Sequence, residues 1–263
     1  VLCGLDRHAL DADLGVALND ALARHGVLFF RPSPGETFDD DEFLALAQTL
    51  GEVIRYPYRR GENYPDERLG RINTDREATV RLGTSLWHTD GTPEPCPPRA
   101  ALLGAVTLPP SGGDTMWADM AAAYEALSAP FRRFLDTLRA VHDTGLPAGR
   151  SGEPKLYGKG SQSVHPVVID DPATGRRMLY VNAHYTTHIV GLSSNESEVL
   201  LRMLFEHTNT PEFHIRWPWR VGDIAIWEER LTQHRVVANF DGDRVLRRAA
   251  IRGDRPFSGV LAD

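Results

Sequence analysis

The C-terminal third narrows the folds open to this chain more than any other stretch. Phe213, Ile215 and Trp217 alternate with polar neighbours, and residues 223–227 and 245–251 are short apolar runs. Period-two alternation places successive side chains on opposite faces of a strand, and short runs split by turn signals build antiparallel sheets. Residues 99–107 and 115–118 read as two more strands. Between them lie Pro109-Pro110 and the turn Ser111-Gly112-Gly113-Asp114. Residues 167–169 and 177–182 flank a turn signal at 170–175 and predict a hairpin. The expected fold is mostly β with peripheral helices, closed as a jelly roll or a barrel.

The helices are fewer. Over 11–26, Leu14, Ala17, Leu18, Ala21 and Leu22 share one face and Gly26 is a stop. A short strand at 27–30 follows, then a helix over 39–50 with Phe43, Leu46, Ala47 and Leu50 on one side. Helices are also expected near 119–127, 130–140 and 194–207. Ser193 and Glu196 supply a capping box for the last. Residues 55–86 and 145–163 lack periodicity and are expected to be loops that act as lids over a site. No repeat or linker divides the chain, so residues 1–263 are expected to form a single domain.

Charge and cysteine content set outer bounds on function. The formal charge is −7, from 29 basic and 36 acidic side chains. That argues against nucleic acid or an anionic membrane as the main partner. Two cysteines, Cys3 and Cys96, give no disulfide framework. A cytoplasmic location is expected. Val1–Leu5 is too short for a signal h-region and is followed at once by Asp6 and Arg7, and no apolar run is long enough for a membrane span.

Three separated signals carry chemistry. Trp87-His88-Thr89-Asp90 places His88 and Asp90 two residues apart, on one face of an extended segment. His-x-Asp is common by itself, but His234 follows the strand at 223–227 and offers a second imidazole from a distant strand. Two His and one carboxylate with open positions is the arrangement of non-haem iron(II) oxygenases, whereas a structural zinc site closes with four protein ligands. Third, Arg244 and Arg248 fall on one face of the last strand and Arg247 on the other. A guanidinium facing a cavity needs an anionic partner, and its planar fork suits a dicarboxylate or an anionic substrate. Solvated or ion-paired strand arginines are the plainer alternative.

These signals and their surroundings resemble the taurine dioxygenase (TauD/TfdA-like) family of iron(II)/2-oxoglutarate enzymes. The similar stretches are WHTD at 87–90, LPPSGGDTMWADM at 108–120, VHPVV at 164–168, YVNAHYTTHIVGLSSNES at 180–197, RWPWRVGDIAIWEERLTQH at 216–234 and RRAAIRGDRPF at 247–257. The resemblance implies a double-stranded β-helix, a cupin-like jelly roll with helices outside. It implies His88, Asp90 and His234 as iron ligands. It also implies Thr115 and Arg244 as the grip on the distal carboxylate of 2-oxoglutarate, and Arg248 as a second arginine serving co-substrate or substrate. The departures lie in the substrate region. Tyr56 and Arg59 stand where the taurine enzyme has His and Tyr, Thr84 replaces an Asn, and Tyr185 replaces a Phe. These four, with Arg248, are the candidate substrate contacts.

The implied activity is oxidative decarboxylation of 2-oxoglutarate to succinate, coupled through Fe(II) and O2 to hydroxylation of a small, anionic organic substrate other than taurine. Cleavage of a C–S or C–O bond after hydroxylation is part of the same expectation. Because Asp90 is a carboxylate, halogenation is disfavoured: halogenases of this broad class leave that position open for halide. His165 and His188 are expected to be structural. Relatives imply a homodimer or homotetramer. The alternatives are a non-catalytic jelly-roll protein that binds a metabolite or metal, and a hydrolase. The latter is disfavoured by the absence of GxSxG and HExxH.

Overall fold

The computed structural model describes residues 5, 9–33, 36–55, 68–81, 83–144 and 161–261. Two antiparallel layers face each other, with helices outside both. The larger sheet is built from β1 (Val27–Phe30), β2 (Gly70–Thr74), β3 (Ala100–Thr107), β11 (Ile224–Glu228) and β13 (Arg244–Ile251), in the order β1-β11-β3-β13-β2. Opposite it, β4 (Thr115–Asp119) runs between β10 (His214–Trp217) and β12 (Thr232–Val236). A second three-stranded sheet places β5 (Arg139–Asp143) between β6 (Gln162–Pro166) and β9 (Thr186–Ile189), and β7 (Val168–Asp170) pairs with β8 (Arg177–Leu179) as a hairpin. The architecture is the jelly roll expected from the sequence.

Alternation along the strands explains the layering. In β1, β3 and β11, Leu28, Phe30, Ala100, Leu102, Ile224 and Ile226 face outward. There they meet the apolar faces of α1 (Ala12–His25) and α2 (Asp40–Leu50). The intervening residues Phe29, Ala101, Leu103, Ala225 and Trp227 face inward and meet Trp117 and Trp217 across the sandwich. Side chains such as Phe43 and Leu46, wholly buried, are each worth roughly 1.5–3 kcal/mol of burial. Arg247, on the outward face of β13, donates to Asp40 (3.0 Å) and to the Phe38 carbonyl (2.6 Å) and lies over the Phe43 ring. It ties α2 to the sheet. Beneath the smaller sheets, α4 (Met120–Glu125) and α6 (Ser194–Thr208) bury a separate apolar cluster that includes Met120, Leu201 and Leu204.

Local signals set the helix ends. Asp39 and Glu42 form a full capping box on α2, and Ser193 and Glu196 form the predicted one on α6. Two expectations need correction. The helix expected over 130–140 stops early: α5 is Ala129–Leu135, and Arg139 already begins β5, because pairing with both β6 and β9 outweighs local helix propensity there. The segment 55–86 is not wholly loop. Gly70–Thr74 pairs along β13, and a short helix α3 (Arg76–Arg81) follows, capped by Asp75 through the Ala78 N–H. As an edge strand, β2 needs only backbone pairing, so its polar sequence gave no apolar signal. Residues 56–67 and 145–160, the greater part of the expected lids, lie outside the described residues. Among the described residues no helix is long and apolar enough to cross a membrane.

A candidate metal and dicarboxylate site

The segment around His88 is stitched to β12 residue by residue. Trp87 Nε1 donates to Asn209 Oδ1 at 2.8 Å, and the Arg235 guanidinium lies over the Trp87 ring. His88 and His234 exchange both backbone hydrogen bonds, at 3.1 and 2.8 Å. The Thr89 hydroxyl donates to the Thr232 carbonyl at 3.0 Å, and the Asp90 N–H donates to Glu229 Oε2 at 3.1 Å. Gly91 then turns the chain at φ 69°, where a Cβ would stand 2.6 Å from Pro98. This turn is open only to glycine.

The stitching brings His88, Asp90 and His234 together. All three are buried, and one potential ligand atom from each lies within 4.8 Å of the others. His88 Nε2 is 3.7 Å from Asp90 Oδ1, and His234 Nε2 is 3.6 Å from Asp90 Oδ2. His88 Nδ1 lies 2.8 Å from the Leu86 carbonyl, so it carries the proton and leaves Nε2 with a lone pair. Burial pushes both imidazole pKa values down, that of His234 well below its ordinary value. Burial alone would raise the Asp90 pKa, but the charge of Arg248 and its contact with the carboxylate more than offset it and hold the carboxyl below the usual range. Two neutral imidazoles and one carboxylate form a donor set fit for a divalent transition metal.

The second part of the site lies one strand pair further on. His234 faces Trp117 across the ladder and Val236 faces Thr115, so Thr115 shares the inward face. Arg244, 1% exposed, donates through Nε to the Gly113 carbonyl (2.8 Å) and through Nη2 to the Thr115 hydroxyl (3.1 Å). Trp219 Nε1 also donates to that hydroxyl, at 3.0 Å. With two donors on its oxygen, the Thr115 O–H is left to point at a further acceptor. The tight turn at Gly112 (φ 76°), where a Cβ would come within 2.3 Å of the Asn239 carbonyl oxygen, brings Gly113 under Arg244. The nearby Asp114 is engaged by Arg216 at 2.6 Å. Burial lowers the Arg244 pKa to about 10.

Arg248 contacts Asp90 Oδ2 and lies 3.2 Å from Glu229 Oε1, with its guanidinium over Trp227. The Trp227 ring lies tilted against that of His234, with centroids 4.9 Å apart and planes at 56°. The remaining sequence-predicted positions are scattered. The Thr84 hydroxyl donates to the Thr79 carbonyl at 3.1 Å. Tyr185 is buried behind His184, whose ring lies 5.5 Å from that of His88. Tyr56 and Arg59 lie outside the described residues. His165 is buried with Nε2 against the Thr92 and Glu94 carbonyls, and His188 is exposed.

Sequence reasoning missed Glu229, His184 and Trp219. Glu229 had one available signal: two adjacent carboxylates, Glu228 and Glu229, end an apolar strand, and the strand alternation turns one of them inward.

The comparisons with known proteins agree with this geometry. The model for the family described as "Taurine catabolism dioxygenase TauD, TfdA family" matches residues 4–250. An alpha-ketoglutarate-dependent sulfate ester dioxygenase of Pseudomonas putida is 35% identical over 260 residues, covering 94% of this chain and 83% of the relative. An alkylsulfatase of Acinetobacter baylyi is 32% identical, covering 93% and 78%. An alpha-ketoglutarate-dependent 2,4-dichlorophenoxyacetate dioxygenase of a Burkholderia species is 30% identical, covering 95% and 91%. Among solved structures, a taurine dioxygenase from Burkholderia xenovorans superposes with a TM-score of 0.82 at 36% identity, covering 97% of this chain and 86% of that one. AAD-2, crystallised with Mn(II) and N-oxalylglycine, superposes at 0.79 with 28% identity, covering 96% and 92%. Matched across nearly its whole length in both sequence and fold, the chain belongs to the TauD/TfdA family of dioxygenases.

Proposed function

We propose that this iron(II)- and 2-oxoglutarate-dependent dioxygenase hydroxylates a small anionic substrate at the carbon bearing an ester or ether oxygen, so that the C–O bond then breaks. The observation that carries the reading is a buried cation, Arg244, beside a hydroxyl with a free O–H, one strand step from a three-ligand cluster. His88, Asp90 and His234 would hold the metal. Arg244 and Thr115 would take the far carboxylate of 2-oxoglutarate, the fork of the guanidinium matching its planar oxygens. Iron(II) held there supplies the dioxygen chemistry that couples decarboxylation of 2-oxoglutarate to oxidation of a substrate C–H. Trp227, against His234, walls the metal ligands from water.

The substrate class rests on the relatives and on the polar side chains of the substrate region. Relatives bear names for action on sulfate esters and on an aryloxyacetate. Both are anions with a C–H next to oxygen. Hydroxylation of that carbon gives a hemiacetal-type product that collapses to a carbonyl compound and releases sulfate or a phenol. Tyr56, Arg59 and Tyr185 are assigned to the substrate, whereas Arg248, which meets both Asp90 and Glu229, is assigned to the charge balance of the metal site. Thr84 enters as a backing residue, because its hydroxyl is committed to Thr79. The same reading takes the whole chain as one catalytic domain, active in the cytoplasm as a homo-oligomer without nucleic acid or membrane.

The test is succinate yield after anaerobic loading with iron(II) and 2-oxoglutarate followed by air. The panel would hold an alkyl sulfate, an aryloxyacetate, taurine and a neutral alcohol. The expected result is stimulation by the alkyl sulfate or the aryloxyacetate, with sulfate or phenol released in step with succinate, and none by taurine. Stimulation by the neutral alcohol alone would overturn the anion assignment. Undiminished succinate formation in His88→Ala would overturn the site.

A further inference from the structure

Glu229 follows β11 and is wholly buried. Its carboxylate touches the metal cluster from behind at every part but His88. Oε2 accepts the Asp90 N–H at 3.1 Å and stands 3.9 Å from His234 Nδ1. Oε1 accepts from Arg248 Nη2 at 3.2 Å, the same nitrogen that contacts Asp90 Oδ2. The Glu229 backbone N–H donates to the Arg99 carbonyl at 2.7 Å, which fixes its own position.

Two consequences follow from elementary chemistry. For His234 to offer Nε2 to a metal, its Nδ1 must carry the proton. That buried N–H has no hydrogen-bond partner among the described residues, so the Glu229 oxygen at 3.9 Å is the group that favours this tautomer. Burial and then the charge of Asp90 push the Glu229 pKa well up, while its ion pair with Arg248 and the Asp90 N–H favour the ionised form. At 3.9 Å from Nδ1 that carboxylate is too far for a hydrogen bond and acts through charge. Second, Arg248 is shared between two carboxylates. Without Glu229 the full guanidinium charge would bear on Asp90 and draw electron density away from a ligand atom.

We propose that Glu229 is the positioning residue of the metal site, holding His234 in its ligating tautomer and dividing the charge of Arg248 so that Asp90 stays available to the metal. This rests on the reading of His88, Asp90 and His234 as metal ligands. Carboxylates behind ligating imidazoles commonly change metal affinity 10- to 100-fold when altered.

The experiment uses the full-length apoprotein and two probes, Mn(II), with the free ion counted by electron paramagnetic resonance, and Co(II), through its visible absorption. Glu229→Gln keeps the volume and an acceptor for the Asp90 N–H but removes the charge. Its Mn(II) affinity is expected to fall roughly 10- to 100-fold and its Co(II) bands to shift, while the apoprotein melts no lower than wild type. A residue that served folding alone would lower the melting temperature and leave the affinity of the folded fraction unchanged. Glu229→Asp, which restores the charge at a shorter reach, is expected to bind more tightly than Gln. Mn(II) affinity of folded Glu229→Gln within about twofold of wild type would overturn the proposal. If that variant does not fold, equal Mn(II) affinity in Glu229→Asp and the uncharged Glu229→Asn would do so. Binding by His88→Ala as tight as wild type would instead remove the metal reading itself, and this proposal with it.

Discussion

A guanidinium with 1% exposure normally rests against a carboxylate; Arg244 rests against a carbonyl and a hydroxyl. An unpaired buried charge is costly, and burial accordingly lowers its pKa to about 10. The cost is recovered when an anion arrives. Hydrogen bonds to charged groups contribute about 1.5–3 kcal/mol, which corresponds to roughly 10- to 150-fold in affinity. Arg244→Lys keeps the charge but loses the fork, so the KM for 2-oxoglutarate should rise about 10-fold or more while kcat at saturating co-substrate changes far less. Steady-state succinate release against 2-oxoglutarate concentration measures both, and an unchanged KM would remove Arg244 from the co-substrate grip. At this scale the sequence was informative wherever residue type alone limits the chemistry. His88, Asp90 and His234 could be nominated because few side chains bind iron, and Arg244 because few strand positions hold paired arginines. Glu229 was marked only by its place beside Glu228 at the end of an apolar strand, and its role depends on a chain reversal that brings the end of β11 behind Asp90.

Elements place these groups, and most were readable where local and tertiary preferences agree. The apolar faces of α1 and α2, the apolar run of β11 and the capping box of α6 all point the same way as the packing. What escaped, β2, β5, β6, β9 and β12, are short strands whose sequences mix polar and apolar residues and which exist because a partner ladder is present. β5 shows the cost of that mixture. Its His142 is fully buried, with His165 of β6 5.3 Å away, Tyr180 at 5.8 Å and Thr186 of β9 at 3.4 Å from Nδ1. Burial, and then the charge of His165, push the His142 pKa well below its ordinary 6.5. A depressed pKa means that the unfolded chain binds the proton first, so stability is full above 6.5 and falls as the pH drops below it. Between about pH 7.5 and 5.5 this one group should account for roughly 1.4 kcal/mol. Chemical denaturation of wild type and His142→Asn at both pH values tests it. The variant should lose less stability on acidification, and an equal loss would show that His142 does not titrate on unfolding.

For the molecule as a whole, the candidate ligands make the two ends of a long stretch of chain depend on each other. His88 and Asp90 precede most of the sandwich, and His234 sits on β12 near its close, joined to His88 by two backbone hydrogen bonds. In the unfolded chain the three side chains are far apart and bind a metal weakly, so binding favours the folded state alone. At a metal concentration about 100 times Kd that linkage is worth about 2.7 kcal/mol. In a chain of this length each kcal/mol moves the midpoint by roughly 2–4 °C, so Mn(II) should raise Tm by about 5–11 °C. Chelation should reverse the shift, and His88→Ala should abolish it. Scanning calorimetry with Mn(II), with Mn(II) plus chelator, and with Mg(II) separates a site of two imidazoles and a carboxylate from a general cation effect, because Mg(II) prefers oxygen ligands. A shift of equal size with Mg(II), or one that survives in His88→Ala, would mean that the ion binds elsewhere and that the convergence of residues 88, 90 and 234 is a feature of packing alone.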